Sequence, residues 1–204
     1  RRRVLGNDHP RTLASMGNLA DVYFAEGHKA EAEKLAQETL AVDRRVLGPE
    51  HRNTMENMHS LAKVSFALGR KDEAEKLYRE TLATQSRVLG PEHPDTLGTM
   101  KDLADLCISQ GRYDEAGRLL DATVKGMRRV LGENHPDTAV ALYGLAHVAA
   151  LRGDRAKSID WLRQAVEHGY RSSDGLAKDA DLKSLRGDPA FETLVAQSAK
   201  SAAK

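Results

Sequence analysis

Val88-Leu89-Gly90-Pro91-Glu92-His93-Pro94-Asp95-Thr96 is the stretch whose reading decides the fold of this chain. Gly90 accepts the left-handed conformation of a helix exit, and Pro91 prevents the helix from resuming. Pro94 then suits a first helical position, and Asp95 in the first turn suits the positive end of the helix dipole. The frame recurs every 42 residues, with Val-Leu-Gly at Val4–Gly6, Val46–Gly48, Val88–Gly90 and Val130–Gly132. Self-similarity with a period of 20–50 residues marks a stack in which each unit packs on its neighbours.

Other columns keep the same phase. Arg recurs at Arg3, Arg45, Arg87 and Arg129, and His at His9, His51, His93 and His135. Thr recurs at Thr12, Thr54, Thr96 and Thr138, and a Leu-Ala pair at Leu19, Leu61, Leu103 and Leu145. A second glycine follows at Gly27, Gly69, Gly111 and Gly153, then a small residue at Ala32, Ala74, Ala116 and Ser158. These columns spell two helices per unit. In the third unit, Leu97, Met100, Leu103, Ala104 and Cys107 share one helical face, and Gly111 ends that helix. The second helix starts near Tyr113 and runs through Ala116, Leu120 and Val124 to Val130-Leu131. Unit two carries Arg52-Asn53 where units three and four carry Pro-Asp, so its first helix is expected to start about a residue differently.

Four units therefore fill residues 1–168, and the first is preceded by Arg1–Gly6, which reads as the tail of an earlier helix. Residues 169–204 break the pattern as a linker and cap. Gly169–Gly175 reads as a flexible, turn-rich stretch, and Asp188-Pro189 opens a last helix through Phe191, Leu194 and Val195, its final residues frayed. Stacks need such an atypical end to cover an apolar face.

Composition excludes several classes of function. Of 204 residues, 31 are Lys or Arg and 30 Asp or Glu, so no net charge draws the chain to nucleic acid or an anionic membrane. No apolar run reaches the length that crosses a bilayer. Cys107 is the sole cysteine and falls at a helix-core column, which suits an inert buried thiol. No G-x-S-x-G, P-loop or H-E-x-x-H motif is present, so neither enzymatic activity nor a cofactor is expected of this sequence. A histidine column invites a metal reading, but stacked helices separate equivalent residues by ~8–10 Å whereas ligands converge at ~2 Å. The histidines are instead expected to tie down helix entrances. The arginines are expected to complement helix ends and nearby Glu50 and Glu92 rather than to form a basic stripe.

Leu103-Ala104, Gly111-Arg112-Tyr113 and Ala116 at these spacings resemble the tetratricopeptide repeat. The 42-residue period with Leu-Gly-x-x-His-Pro-x-Thr resembles its kinesin-light-chain type. The resemblance implies an all-α fold, an α-solenoid (right-handed superhelix) of stacked antiparallel helix pairs with a C-terminal capping helix. It also implies that the first helix of each unit lines a concave face. On that face lie Ala14, Gly17 and Asp21; Glu56, His59 and Lys63; Gly98, Lys101 and Asp105; Val140, Tyr143 and His147. They change charge and size between copies while the frame stays fixed, which suits a groove for a peptide or protein segment. Asp21, His59, Lys63, Lys101, Asp105, Tyr143 and His147 are the candidate peptide-binding residues, Asp21 and Asp105 selecting against acidic ligands. Some tetratricopeptide domains grip a C-terminal carboxylate with Lys and Asn on the first unit; Gly17 and Asp21 stand there instead. The implied protein is a scaffold binding a protein partner, monomeric as an isolated domain and cytoplasmic. An alternative is a C-terminal docking or regulatory module of a larger bacterial signalling enzyme such as a serine/threonine kinase. It is suggested by the unfinished first repeat and by Leu182–Phe191, which is similar to the ends of large bacterial multidomain proteins. A third reading, self-association through Leu13 and Met16 at the open end, ranks below both.

Overall fold

The structure, a computed structural model, describes Gly6, residues 8–171 and residues 176–202, with side chains as far as Ser198. Arg1-Arg2-Arg3 of the expected leading helix tail, residues 172–175 of the turn-rich stretch and the last two residues lie outside the described part. The described residues form α1 (Pro10–Ala25), α2 (Lys29–Val46), α3 (Arg52–Ala67), α4 (Lys71–Val88), α5 (Pro94–Ser109), α6 (Tyr113–Val130), α7 (Pro136–Leu151), α8 (Arg155–Glu167) and α9 (Pro189–Ala202). Two 3₁₀ turns, Leu176–Lys178 and Lys183–Leu185, precede α9, and no strand occurs among the described residues. The chain divides into two compact units, Arg1–Leu106 and Cys107–Lys204.

Helix entrances are built by the histidine column. His9, His51 and His135 have extended backbone dihedrals at the N-cap, and each ring Nδ1 accepts from the backbone N–H two residues on. Those bonds measure 3.1 Å to Arg11, 3.2 Å to Asn53 and 3.2 Å to Asp137, and His93 makes the same 3.2 Å bond to Asp95. Each bond satisfies one of the amides that a helix leaves without an internal partner. The entrance of unit two is not displaced as the sequence suggested: α3 begins at Arg52, in the column of Pro10, Pro94 and Pro136. The histidine cap fixes the start, so proline is dispensable there.

Exits follow the glycine column. Gly90 has φ +100°, its amide donates to the Gln85 carbonyl at 3.2 Å, and its own carbonyl accepts from the Thr96 hydroxyl at 2.9 Å. Thr54 and Thr138 bond Gly48 and Gly132 in the same way, at 2.7 and 2.9 Å. In these three copies the threonine anchors the exit to the next entrance, whereas the Thr12 hydroxyl is buried without a partner.

In the first unit α1 packs on α2, α2 on α3, α3 on α4, and α1 also meets α3. Leu13, Ala32, Met55, Met58, Ala74 and Tyr78 are almost wholly buried there. In the second unit α6 packs on α7, α7 on α8, and α9 closes against α8 and the first 3₁₀ turn. Leu120, Leu142, Leu162, Leu176, Leu182 and Phe191 form its core, each side chain contributing ~1.5–3 kcal/mol by leaving water. The Asp188 carboxylate accepts from the Ala190 amide at 2.9 Å, capping α9 at the expected place. Cys107 is buried.

Candidate functional site

In the first unit, α1, α3 and the start of α5 line a groove of ≈ 810 Å³. Ala14, Gly17 and Asp21 from α1, Glu56, His59 and Lys63 from α3, and Gly98 from α5 all reach it. Asn18, Asn53, Asn57, Ser60, Gln85 and Asp95 complete most of its polar lining, none of them assigned to the groove by the sequence reading. Asp21 is exposed and makes no ion pair among the described residues. Lys63 stands with Nζ 6.0 Å from the centre of the Phe24 ring, a weak cation–π contact.

Lys101 and Asp105 are engaged elsewhere. Lys101 Nζ lies 2.6 Å from Asp102 Oδ1 and 2.9 Å from Asp105 Oδ2, with less than a quarter of its side chain exposed. His59 Nε2 donates to the other Asp102 oxygen at 2.8 Å, and its ring tilts against Tyr78 at 5.9 Å. Burial alone would raise the Asp102 carboxyl, but the His59 hydrogen bond and the Lys101 ammonium outweigh it and hold it at about 2. Burial likewise disfavours the Lys101 ammonium, yet Asp105 and Asp102 raise its pKa. Burial chiefly, then the two aspartates, pushes the Tyr78 phenol up. Lys101 therefore closes a charge network and is not a free cation.

Polar groups also lie beneath the groove. Asp43 is fully buried, and one of its carboxylate oxygens accepts from the Asn57 amide nitrogen. Burial pushes the Asp43 carboxyl up, opposed by the Asn57 bond and by His51. Gly17 makes room for Asn57: a Cβ there would stand 2.1 Å from Asn57 Oδ1.

In the second unit Tyr143 and His147 of the expected face are covered by the chain itself, whereas Val140 is exposed. Tyr143 is 9% exposed, its hydroxyl donates to Asp179 Oδ2, and its ring stacks on Tyr170 with centroids 4.0 Å apart. His147 Nε2 lies 2.9 Å from the same Asp179 oxygen, and the other accepts from the Asp181 amide at 2.8 Å. Burial would raise the Asp179 carboxyl, but the Tyr143 bond and His147 lead a set of contacts that lowers it. Burial first, then the Asp179 bond, drives the Tyr143 phenol well above its ordinary value. Tyr170, inside a stretch expected to be flexible, is an anchor for that face.

A model of the tetratricopeptide repeat family matches residues 1–45, 30–85, 55–121 and 99–168. The chain belongs to the tetratricopeptide repeat family. Among solved structures, this repeat protein is similar to a variant form of the nearly identical TPR-like repeats of a Podosopora anserina protein assigned as a kinesin light chain. The identity is 27%, the TM-score 0.76, and the match covers 96% of this chain and 99% of that one. It is similar to BtubC (BKLC) from P. vanneervenii at 19% identity and TM-score 0.75, covering 98% and 85%. It also shares its fold with a Rap protein solved in complex with Competence and Sporulation Factor, at 13% identity and TM-score 0.69, covering 78% and 43%. No curated protein sequence matches the chain. The tetratricopeptide solenoid is in general a protein-interaction scaffold without catalytic function, of which the kinesin-light-chain-like repeats are one form. Among the described residues no helix is long and apolar enough to cross a membrane.

Within the repeats, the histidine column caps helices, and no group of His, Cys, Asp or Glu among the described residues is arranged to hold a metal ion. Two arginines of the column pair with acidic residues about one period away, Arg45 with Asp8 at 2.9 Å and Arg87 with Glu50 at 2.7 Å. These pairs are exposed and contribute about 0–1 kcal/mol each.

Proposed function

We propose that this repeat protein binds an extended segment of a partner protein in the groove of its first unit. The observation that carries the reading is the contrast between lining and frame. Ala14, Glu56 and Gly98 are equivalent positions, as are Gly17 and His59, and Asp21 and Lys63, yet all seven line one groove with different charge and size. The histidine, threonine and glycine columns beside them keep the same bond in copy after copy. Apart from Gly17, where Asn57 leaves no room for a Cβ, stacking does not dictate these lining residues, so they are left to recognise a ligand. Asp21, Glu56 and Lys63 are charged contacts among them. Lys101 and Asp105 act behind it by fixing Asp102, and with it the ring of His59.

Panning a random peptide display library against the purified chain tests this. The control is Gly98→Leu, since a Cβ at Gly98 would meet nothing within 4 Å and leucine favours the helix. Binders retained by the parent and lost with Gly98→Leu support the groove. Binders indifferent to that filling, or none, refute it.

A further inference from the structure

The lining of this groove is rich in acceptors. Asp21, Glu56 and Asp95 bring carboxylates to it, and Lys63, at the Phe24 end, brings the single ammonium among the lining residues. Glu56 pairs with Arg52 at 2.7 Å, but both side chains are half exposed or more, so an incoming cation displaces that pair at small cost.

An independent observation lies at the floor. Gln85 lines the groove, is 2% exposed, and its Oε1 is buried without a hydrogen-bond donor. One period earlier, Asp43 has its Oδ2 satisfied by Asn57, while its Oδ1 is buried without a donor. One period later, the column holds Met127, also 2% exposed. The stack therefore accepts an apolar side chain there, and packing does not require glutamine. Thr99, at the position equivalent to Asn57, leaves its own buried hydroxyl unpartnered and supplies no bond to Gln85. A buried amide oxygen without a donor is costly unless something brings one. Gly98 lines the same groove and leaves room in it, because a Cβ there would meet no atom within 4 Å. Asp95 lies one turn before Gly98, and Glu56 holds on α3 the place of Gly98 on α5.

We propose that the groove at Gly98 takes a lysine or arginine side chain of the bound segment, with Glu56 and Asp95 at the rim and Gln85 Oε1 accepting at the floor. This rests on the peptide-binding reading above. Lysine and arginine carry only donors, on stems long enough to pass a rim and reach a floor. A carboxylate would meet two like charges and an acceptor. An apolar side chain would desolvate all three without supplying a bond.

The residue distribution of the panned library decides the matter. Lysine or arginine is expected to dominate one position of the enriched peptides. A synthetic consensus peptide should bind Gln85→Met about tenfold or more weakly than the parent. Replacing its basic residue by norleucine should cost the parent more than it costs Gln85→Met. Met127 shows that methionine fits the column, and Glu56→Lys, a surface change expected to weaken the same peptide, gives a second reading that does not depend on the core. Enrichment of acidic or apolar residues, or unchanged affinity in both variants, overturns this assignment while Gly98→Leu-sensitive binding keeps the groove reading. Absence of any groove-dependent binder overturns both.

Discussion

His147 Nε2 lies 2.9 Å from Asp179 Oδ2, the oxygen that also accepts from the Tyr143 hydroxyl. One carboxylate from the segment between the 3₁₀ turns thus engages two side chains of α7, and Tyr170 stacks on Tyr143. Asp179→Ala should lower stability by about 1–3 kcal/mol, as two buried donors lose their acceptor. Amide exchange should speed up through Leu182–Leu185 and hardly change in α6. Unchanged protection in that segment would mean that Leu182, Leu185 and Phe191 hold it unaided.

Asp102 ties the stability of the fold to the acid range. Its carboxyl is held at about 2 in the fold against an ordinary value of 3.8, so the folded chain binds that proton less readily than the unfolded one. The contribution is full above about pH 4 and is lost as pH falls toward 2, a change on the order of 2 kcal/mol. Asp102→Asn should flatten that part of the stability profile in urea titrations at pH 2 to 5. An equally steep profile in the variant would place the acid sensitivity elsewhere.

Asp43 has the opposite sign. Its pKa is raised by burial, so the ionised form opposes folding at neutral pH and the penalty fades as pH drops toward the ordinary carboxylate range. Asp43→Asn keeps an acceptor for Asn57 and removes the charge. It should raise stability at pH 7 by about 1 kcal/mol, with the gain shrinking near pH 4. Thermal melts at both pH values test this, and a loss at pH 7 would contradict it.

Gly17 and Asn57 should couple. Gly17→Ala alone is expected to cost about 1–3 kcal/mol, because the new methyl meets Asn57 Oδ1. In an Asn57→Ser background the cost should fall, since the obstructing amide is gone. Additive effects in a double-mutant cycle would show that the site relaxes by another route.

How far the sequence reached depends on what the repeat could expose. Helix positions and histidine caps were legible because each appears four times in phase, and the groove positions in the first unit followed from the same alignment. The engagement of Lys101 was not legible. Asp102 shares a column with Asn18, Ser60 and Gly144, so nothing in the pattern marked it as the residue that holds His59 and Lys101. Asp179 and Tyr170 lie beyond the last repeat, where no column exists to compare, and their meeting with Tyr143 is a tertiary fact. Gln85 stood in a second-helix column that was not compared between copies. Comparing it with Asp43 and Met127 would have shown a position that is polar in two copies and apolar in a third.

The threonine-to-glycine bond has a bearing on how such a chain can change over generations. Thr54, Thr96 and Thr138 each reach back only six residues, to Gly48, Gly90 and Gly132, so both partners are encoded within a few codons of each other. Duplicating or deleting one whole period leaves every remaining bond of this kind with donor and acceptor in place. An insertion between the glycine and the threonine parts them at once. The joint thus tolerates changes in copy number but not in spacing, which gives recombination a simple way to alter the length of the array while each connection stays the same.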